Sequence, residues 1–189
     1  MRKIIVSEGI SLDGVFDAQT MGQWAAPYYS EERDEFIRAG ILSADTLLLG
    51  RVTYDLQTWY WPNQKDDKYG IANHKNNMVK YVVTSTPLQA QWHNSKVIQN
   101  NALDEIANLK QQPGQDILIE GSGMLVESLA QADLIDEYRI LLHPSIAGGG
   151  KRFFKDGSSL TSLKLVENKT LSRGVIVLRY APTRESREK

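Results

Sequence analysis

Two groups of residues in this sequence could do chemistry: short polar or glycine-containing turns that suit a phosphate, and carboxylates in an early loop. The turns are Gly50-Arg51-Val52-Thr53, Thr84-Ser85-Thr86 and Gly121-Ser122-Gly123, and each follows a short apolar run. Where such a turn opens a helix, unpaired N–H groups and a partial positive charge favour an anion, and glycine lets the backbone approach it. Arg51 adds a fixed positive charge with forked donors. These residues together predict a site for a phosphorylated ligand.

The carboxylates are Asp13 and Asp17, in a stretch of residues 8–20 that reads as an ordered loop. Either side chain could orient a substrate or relay a proton, and Asp13 is the first candidate. A carboxylate beside a glycine also caps backbone N–H groups in turns. Because Gly14 follows Asp13, both interpretations of Asp13 stay open.

Several other classes of site are excluded. The chain has no cysteine, so disulfides, thiolate catalysis and cysteine-bound zinc are ruled out, and its three histidines lack metal-ligand spacing. Gly148-Gly149-Gly150-Lys151 fails as a P-loop, because Ser145 replaces the first glycine and Arg152 follows the lysine. The net charge of −1 and the lack of a long apolar run argue against nucleic-acid and membrane partners. A cytoplasmic protein with no metal is expected.

Strand and helix patterns alternate along the 189 residues, which favours one α/β domain over residues 1–182 and a charged tail at 183–189. Helices are expected from the N-cap Ser30, after Gly50, around residues 103–110 and after Gly123. Residues 61–77 read as a polar surface excursion. Strands are predicted at residues 3–7, 46–49, 78–84, 96–99, 116–120, 137–142, 164–171 and 175–180. The sheet should be mixed, with parallel strands first and an antiparallel hairpin at the end, and ligands bind beyond the carboxyl ends of parallel strands.

The motifs occur in the order found in a known family. The chain resembles the dihydrofolate-reductase-like superfamily, and specifically the RibD C-terminal domain family of riboflavin-biosynthesis reductases. The resemblance covers roughly residues 3–180. Its matching segments are Ser11-Leu12-Asp13-Gly14-Val15, Leu48-Leu49-Gly50-Arg51-Val52-Thr53-Tyr54, Val82-Val83-Thr84-Ser85, Ile119-Glu120-Gly121-Ser122-Gly123-Met124-Leu125, and Asp136-Glu137-Tyr138-Arg139 through His143-Pro144 to Gly148-Gly149-Gly150-Lys151-Arg152-Phe153-Phe154.

The resemblance implies a three-layer fold with a central mixed sheet flanked by helices, NADPH laid across the strand ends, and a homodimer. It implies that Gly50, Arg51, Val52 and Thr53 meet the cofactor phosphates. It places Thr84, Ser85 and Thr86 near the adenosine ribose and its 2′-phosphate. The pyrophosphate would be cradled by Gly121, Ser122, Gly123, Met124 and Leu125.

The activity implied is hydride transfer to a C=N bond of a heterocyclic or ribosylamine substrate, as in 5-amino-6-(5-phosphoribosylamino)uracil reductase. The substrate should lie between residues 8–17 and the helix of residues 30–44. A dihydrofolate or pterin-type reductase is an alternative, although the acidic residues 31–35 look like helix-cap charges rather than an isolated pteridine-binding acid. A nucleotide-binding module without catalysis is the second alternative.

Overall fold

A sheet of eight strands runs through the middle of the molecule. The structure is a computed structural model that describes residues 1–155, 157–158 and 160–184. The tail predicted for residues 183–189 therefore lies outside the described residues from position 185 onward. The strands are β1 Ile4–Ser11, β2 Ala44–Gly50, β3 Val79–Val83, β4 Ser95–Ile98, β5 Asp116–Ile119, β6 Glu137–His143, β7 Leu163–Thr170 and β8 Ile176–Pro182. The helices are α1 Met21–Trp24, α2 Glu31–Leu42, α3 Arg51–Tyr60, α4 Ile71–Asn77, α5 Ala102–Gln111 and α6 Gly123–Gln131.

Strand order and direction confirm the predicted mixed sheet. The order across the sheet is β4-β3-β2-β5-β1-β6-β8-β7. The pairings among β1 to β6 are parallel, whereas β8 runs antiparallel to both β6 and β7. The carboxyl ends of the six parallel strands therefore share one edge, called the carboxyl edge below. The opposite edge, where these strands begin, is called the amino edge.

Alternating side chains bury both faces of the sheet, as the pleat of a strand requires. In β1, Ile4 and Val6 pack in the cluster that contains residues of α5 and α6. Ile5 points the other way, into the cluster that contains residues of α2 and α3. Helices on both faces complete the three layers that the resemblance implies.

The first strand is longer than its sequence pattern predicts. β1 runs to Ser11, so residues 8–11 are strand rather than loop. The pairing of β1 with β5 ends at Val6, whereas its pairing with β6 continues to Ser11. The run Ser7-Glu8-Gly9 reads as polar loop because a carboxylate is rarely buried in a strand, yet Glu8 is only 7% exposed. β1 therefore extends past the end of β5 at the carboxyl edge, where the Glu8 side chain lies beside Gly121.

The segment predicted as a surface excursion is also more ordered than expected, because residues 71–77 form α4. The carboxylate of Asp67 accepts hydrogen bonds from the N–H groups of Ala72 (2.9 Å) and Asn73 (2.8 Å) and so caps the helix start. Ala72 and Lys75 are buried. The polar composition hid this helix because its buried positions include a lysine.

Candidate functional site

Two of the predicted turns are bonded to each other at the carboxyl edge. The N–H of Gly50, at the end of β2, donates to Oγ of Ser122 at 2.8 Å. In return, the N–H of Ser122 donates to Oγ1 of Thr53 at 3.0 Å. Each of these two turns, 72 positions apart in the chain, thus donates one hydrogen bond to the other. The starts of α3 and α6 therefore lie side by side.

The third turn lies next to the first. The guanidinium of Arg51 donates to the carbonyl oxygen of Pro87 at 3.3 Å and to the carboxylate of Asp55 at 2.8 Å. Thr84 is buried, and its hydroxyl accepts the N–H of Thr86 at 3.2 Å. Ser85 and Thr86 are exposed. The structure therefore brings the three predicted turns together, while their contacts with a cofactor stay a prediction.

The turn after β5 holds its backbone in an uncommon conformation. Gly121 has φ +68° and Ser122 has φ +61°, both in the left-handed region that non-glycine residues seldom adopt. A Cβ added to Gly121 would lie 2.9 Å from Oγ1 of Thr53, so only glycine fits this close approach. Strained backbone of this kind is concentrated at ligand sites.

The first turn of α6 offers groups that suit a phosphate. The N–H of Val126 donates to the Ser122 carbonyl at 3.0 Å, so the N–H groups of residues 123–125 precede the helical ladder. The apolar side chains of Met124 (75% exposed) and Val52 (69% exposed) lie at the starts of α6 and α3, whereas Leu125 is buried. Together with the close approach at Gly121, this arrangement fits the diphosphate of a dinucleotide.

The carboxylate of Asp13 is held by backbone groups of a distant loop. It accepts the hydroxyl of Ser11 (2.6 Å) and the N–H groups of Ala147 (3.0 Å) and Gly148 (2.9 Å). These bonds lower the pKa of Asp13 from its ordinary value of 3.8 to about 2, with the Ser11 hydroxyl contributing most. The contacts favour the capping interpretation of Asp13 over a catalytic one.

The carboxylate of Asp17 also accepts hydrogen bonds from backbone N–H groups. It accepts the N–H of Gln19 at 3.1 Å and that of Lys151 at 3.4 Å. Asp13 and Asp17 therefore tie the loop after β1 to the glycine-rich segment Gly148-Gly149-Gly150-Lys151. A role in chemistry stays a prediction for both carboxylates.

Three ionisable residues that the sequence analysis did not single out lie beside the Gly121 turn. Lys75 of α4 forms an ion pair with the carboxylate of Glu120, the residue that follows β5. The Lys75 ammonium also lies 4.4 Å from the centre of the Trp61 ring. Burial raises the pKa of the Glu8 carboxyl well above its usual range and Glu120 adds to the rise, although the Gly121 N–H and Lys75 oppose it. In the sequence, the one sign of this group was Glu120, because a carboxylate directly precedes the predicted turn at Gly121.

His143 is a further buried polar group at the carboxyl edge. Its Nδ1 lies 3.2 Å from the carbonyl oxygen of Ile10, so Nδ1 carries the hydrogen. Its Nε2 has no hydrogen-bond partner within the described part of the chain. Burial lowers the pKa of His143, which keeps the ring neutral at pH 7. The rings of Trp24 and Tyr28 cover it, with centroids at 5.5 and 6.4 Å.

Within the described residues, every helix is too short or too polar to cross a bilayer.

Comparisons with known proteins show the family of this chain. The model of the RibD C-terminal domain matches residues 2–177. The protein YyaP of Bacillus subtilis (strain 168) is 30% identical over 187 residues, which cover 95% of this chain and 94% of YyaP.

Solved structures show the same fold at low identity. A protein provisionally assigned to riboflavin biosynthesis in Shewanella sp. PV-4 superposes with a TM-score of 0.77 at 21% identity, over 96% of this chain and 99% of that one. Dihydrofolate reductase from Enterococcus faecalis, in complex with NADP(H) and RAB-propyl, gives a TM-score of 0.63 at 15% identity, over 96% and 97% of the two chains. The fold is thus dihydrofolate-reductase-like, and the chain belongs to the RibD C-terminal domain family.

Proposed function

We propose that this protein is an NADPH-dependent reductase that reduces a C=N bond of a flat heterocycle or its ribosylamine. The observation that carries the proposal is the mutual bonding of the turns at Gly50 and Ser122, which sets two helix starts side by side. Two helix starts with free N–H groups suit the two phosphates of a dinucleotide. Family membership and the NADP(H) complex of the dihydrofolate reductase support the same cofactor.

The cofactor, when bound, supplies the hydride, and the chain supplies position and charge. The helix starts and Arg51 would hold the phosphates. The part of β1 that extends past β5 would receive the reacting ring, because it carries the small, partly exposed residues Ser7 and Gly9. The nearby Glu120 is the carboxylate that could meet a polar edge of this ring. The similarity to a riboflavin-biosynthesis protein favours a pyrimidine ribosylamine over a folate.

The expected homodimer stays a prediction. All eight residues of β7 are exposed in the single chain, which leaves this edge strand open to a partner.

Cofactor binding is tested by quenching of tryptophan fluorescence with NADPH and with NADH. We expect saturable binding that favours NADPH. Arg51→Met should weaken it about tenfold, because a charged donor near a phosphate is lost. Arg38→Met is the matched control, since Arg38 is exposed to the same degree (38% against 37%) and also pairs with a carboxylate on its own helix. Its affinity should stay within about twofold of the wild type, as expected for a charge far from the phosphates.

Turnover is tested by NADPH oxidation with pyrimidine ribosylamine, pterin and dihydrofolate substrates. Oxidation with the pyrimidine substrate supports the proposal as stated, and oxidation with a pterin instead identifies the alternative reductase. Tight NADPH binding without turnover of any substrate would favour the non-catalytic module. A protein that binds neither nucleotide would overturn the proposal.

A further inference from the structure

We propose that Lys75 is a positioning residue for this reduction: from α4 it holds the Glu120 carboxylate just beyond the end of β5, facing the substrate. The proposal rests on the proposed reductase function. It concerns a residue in the segment that the sequence pattern assigned to the surface.

Glu120 lies directly after the last paired residue of β5. The β1–β5 pairing ends at Val6 and Ile119, so Glu120 is the first residue beyond it. Leu118 packs on the face covered by α2 and α3. Because side chains alternate along a strand, Glu120 continues toward that same face. This is the face on which the ring is expected.

Lys75 and Glu120 differ in how deeply their side chains are buried. The Glu120 side chain is 20% exposed, whereas that of Lys75 is 2% exposed. A ligand could therefore reach Glu120 but not Lys75. The ammonium acts on a ligand only through the carboxylate that it holds, which makes Lys75 a positioning residue.

Residues from several elements surround the Lys75–Glu120 ion pair. Lys75 comes from α4, Glu8 faces the pair from β1, and the ring of Trp61 covers the ammonium. Burial and the neighbouring Glu120 raise the pKa of the Glu8 carboxyl, and Glu120 is the carboxylate that forms the ion pair with the ammonium. A buried ion pair holds its geometry because either charge alone would be costly. The ion pair therefore fixes the position of the Glu120 side chain.

The Glu120 carboxylate can assist the proposed reduction of a C=N bond. In the reduction, water first protonates the nitrogen of the C=N bond and leaves as hydroxide, and the resulting iminium N–H donates to the Glu120 carboxylate, which stabilises its positive charge. The iminium carbon then gains a hydride from NADPH as the C–N π pair moves to nitrogen. The products are NADP⁺, hydroxide and a CH–NH bond.

Lys80 provides a matched control for the experiment. Both lysines are buried, and both ammonium groups lie 4.4 Å from a tryptophan ring. Lys80, however, donates to the carbonyl oxygens of Asn76, Met78 and His93 rather than to a carboxylate. It is thus a buried lysine without a link to Glu120.

We would measure kcat, KM and the NADPH dissociation constant for Lys75→Met, Glu120→Gln, their double variant and Lys80→Met. K75M should lower kcat by about tenfold to a hundredfold, because the carboxylate is no longer held in place. NADPH affinity should change by less than about twofold, and K80M should lower the melting temperature but leave kcat within about threefold, because Lys80 only supports the fold. The double variant should match E120Q alone, since Lys75 acts through Glu120.

An activity-independent measurement keeps the proposal open to refutation. With ¹³C-labelled glutamate, the Glu120 carboxyl signal, assigned by its loss in E120Q, should move in K75M at pH 7 and stay in place in K80M. If K75M does not fold, Lys75→Gln removes the charge and keeps a hydrogen bond. An unmoved signal, an unchanged kcat in K75M, or losses that multiply in the double variant would overturn the role of Lys75. A wild-type protein without turnover would instead sink the reductase function, and the carboxyl signal would still decide whether Lys75 holds Glu120.

Discussion

The two edges of the sheet differ in how their polar groups are satisfied. At the amino edge, the guanidinium of Arg2 donates to the carbonyl oxygen of Gln115 (2.6 Å) and to Oγ1 of Thr46 (2.7 Å) and pairs with Asp45. Lys110 likewise meets Asp136 at 2.6 Å. At the carboxyl edge, Oε1 of Glu8 and Nε2 of His143 have no partner within the described residues, and Ser122 holds a left-handed backbone.

A groove of about 510 Å³ opens at the amino edge, lined by residues that include Arg2, Asp45 and His74. The polar groups of these three residues are taken by one another or by the backbone, as in the 2.8 Å contact between His74 Nε2 and the Ala44 carbonyl. Buried polar atoms are almost always paired in native proteins, and Ser95 Oγ at the start of β4 is a further one without a partner in the described chain. What sets the carboxyl edge apart is therefore the mutual bonding of two helix starts, through Gly50 and Ser122, rather than the size of a cavity.

Two glycine substitutions, one at each edge, test whether the two edges differ in function. Gly121→Ala at the carboxyl edge and Gly114→Ala at the amino edge both place a Cβ at positive φ, within 2.9 Å of Thr53 and 2.8 Å of Asp45, respectively. Each should lower the free energy of unfolding by about 1–3 kcal/mol. Only G121A should also weaken NADPH binding, on the order of a hundredfold, because a small shift of the cradle misplaces its N–H groups. Denaturant unfolding and fluorescence titration measure the two effects.

Equal loss of NADPH affinity in both variants would show that the response is global, and the distinction between the edges would fail.

The sequence predicted those parts of the site whose signal is local. Each turn was visible because an apolar run stops at glycine or at small polar residues, as in Ile119-Glu120-Gly121-Ser122. The order of the motifs was enough to indicate the family and the fold. What the pattern could not show is which atoms meet across the sheet, such as Gly50 N–H and Ser122 Oγ, because that depends on strand order.

Buried charges were the second kind of miss. Glu8 fell in a predicted loop and Lys75 in a predicted surface excursion, because hydrophobic periodicity treats any charged side chain as solvated. Each is buried only because a partner or a shifted proton equilibrium compensates it. Such compensation comes from residues distant in sequence, so it becomes visible only in the folded chain.

A smaller effect should follow from the buried lysine away from the site, as a function of pH. Burial lowers the pKa of Lys80 from 10.5 to about 8. The folded protein therefore binds fewer protons than the unfolded chain between about pH 8 and 10.5, and this lysine makes stability rise with pH across that window. The wild type should gain unfolding free energy relative to Lys80→Met as the pH increases from 8 to 10.5. Parallel curves from urea unfolding at several pH values would contradict this.

The smallest effect is expected at Asp13, where the structure and the proposed chemistry can be separated. Its pKa of about 2 lies below the ordinary 3.8, so its stabilising bonds are complete above about pH 4 and are lost as the pH falls toward 2. Asp13→Asn should remove this acid-dependent part of the stability and leave kcat within about threefold, as for a loop-capping residue. Asp17→Asn, which breaks the weaker contacts at 3.1 and 3.4 Å, is the matched variant. Acid unfolding and NADPH oxidation would be measured together; a large fall in kcat for D13N with unchanged acid stability would restore Asp13 as a catalytic residue.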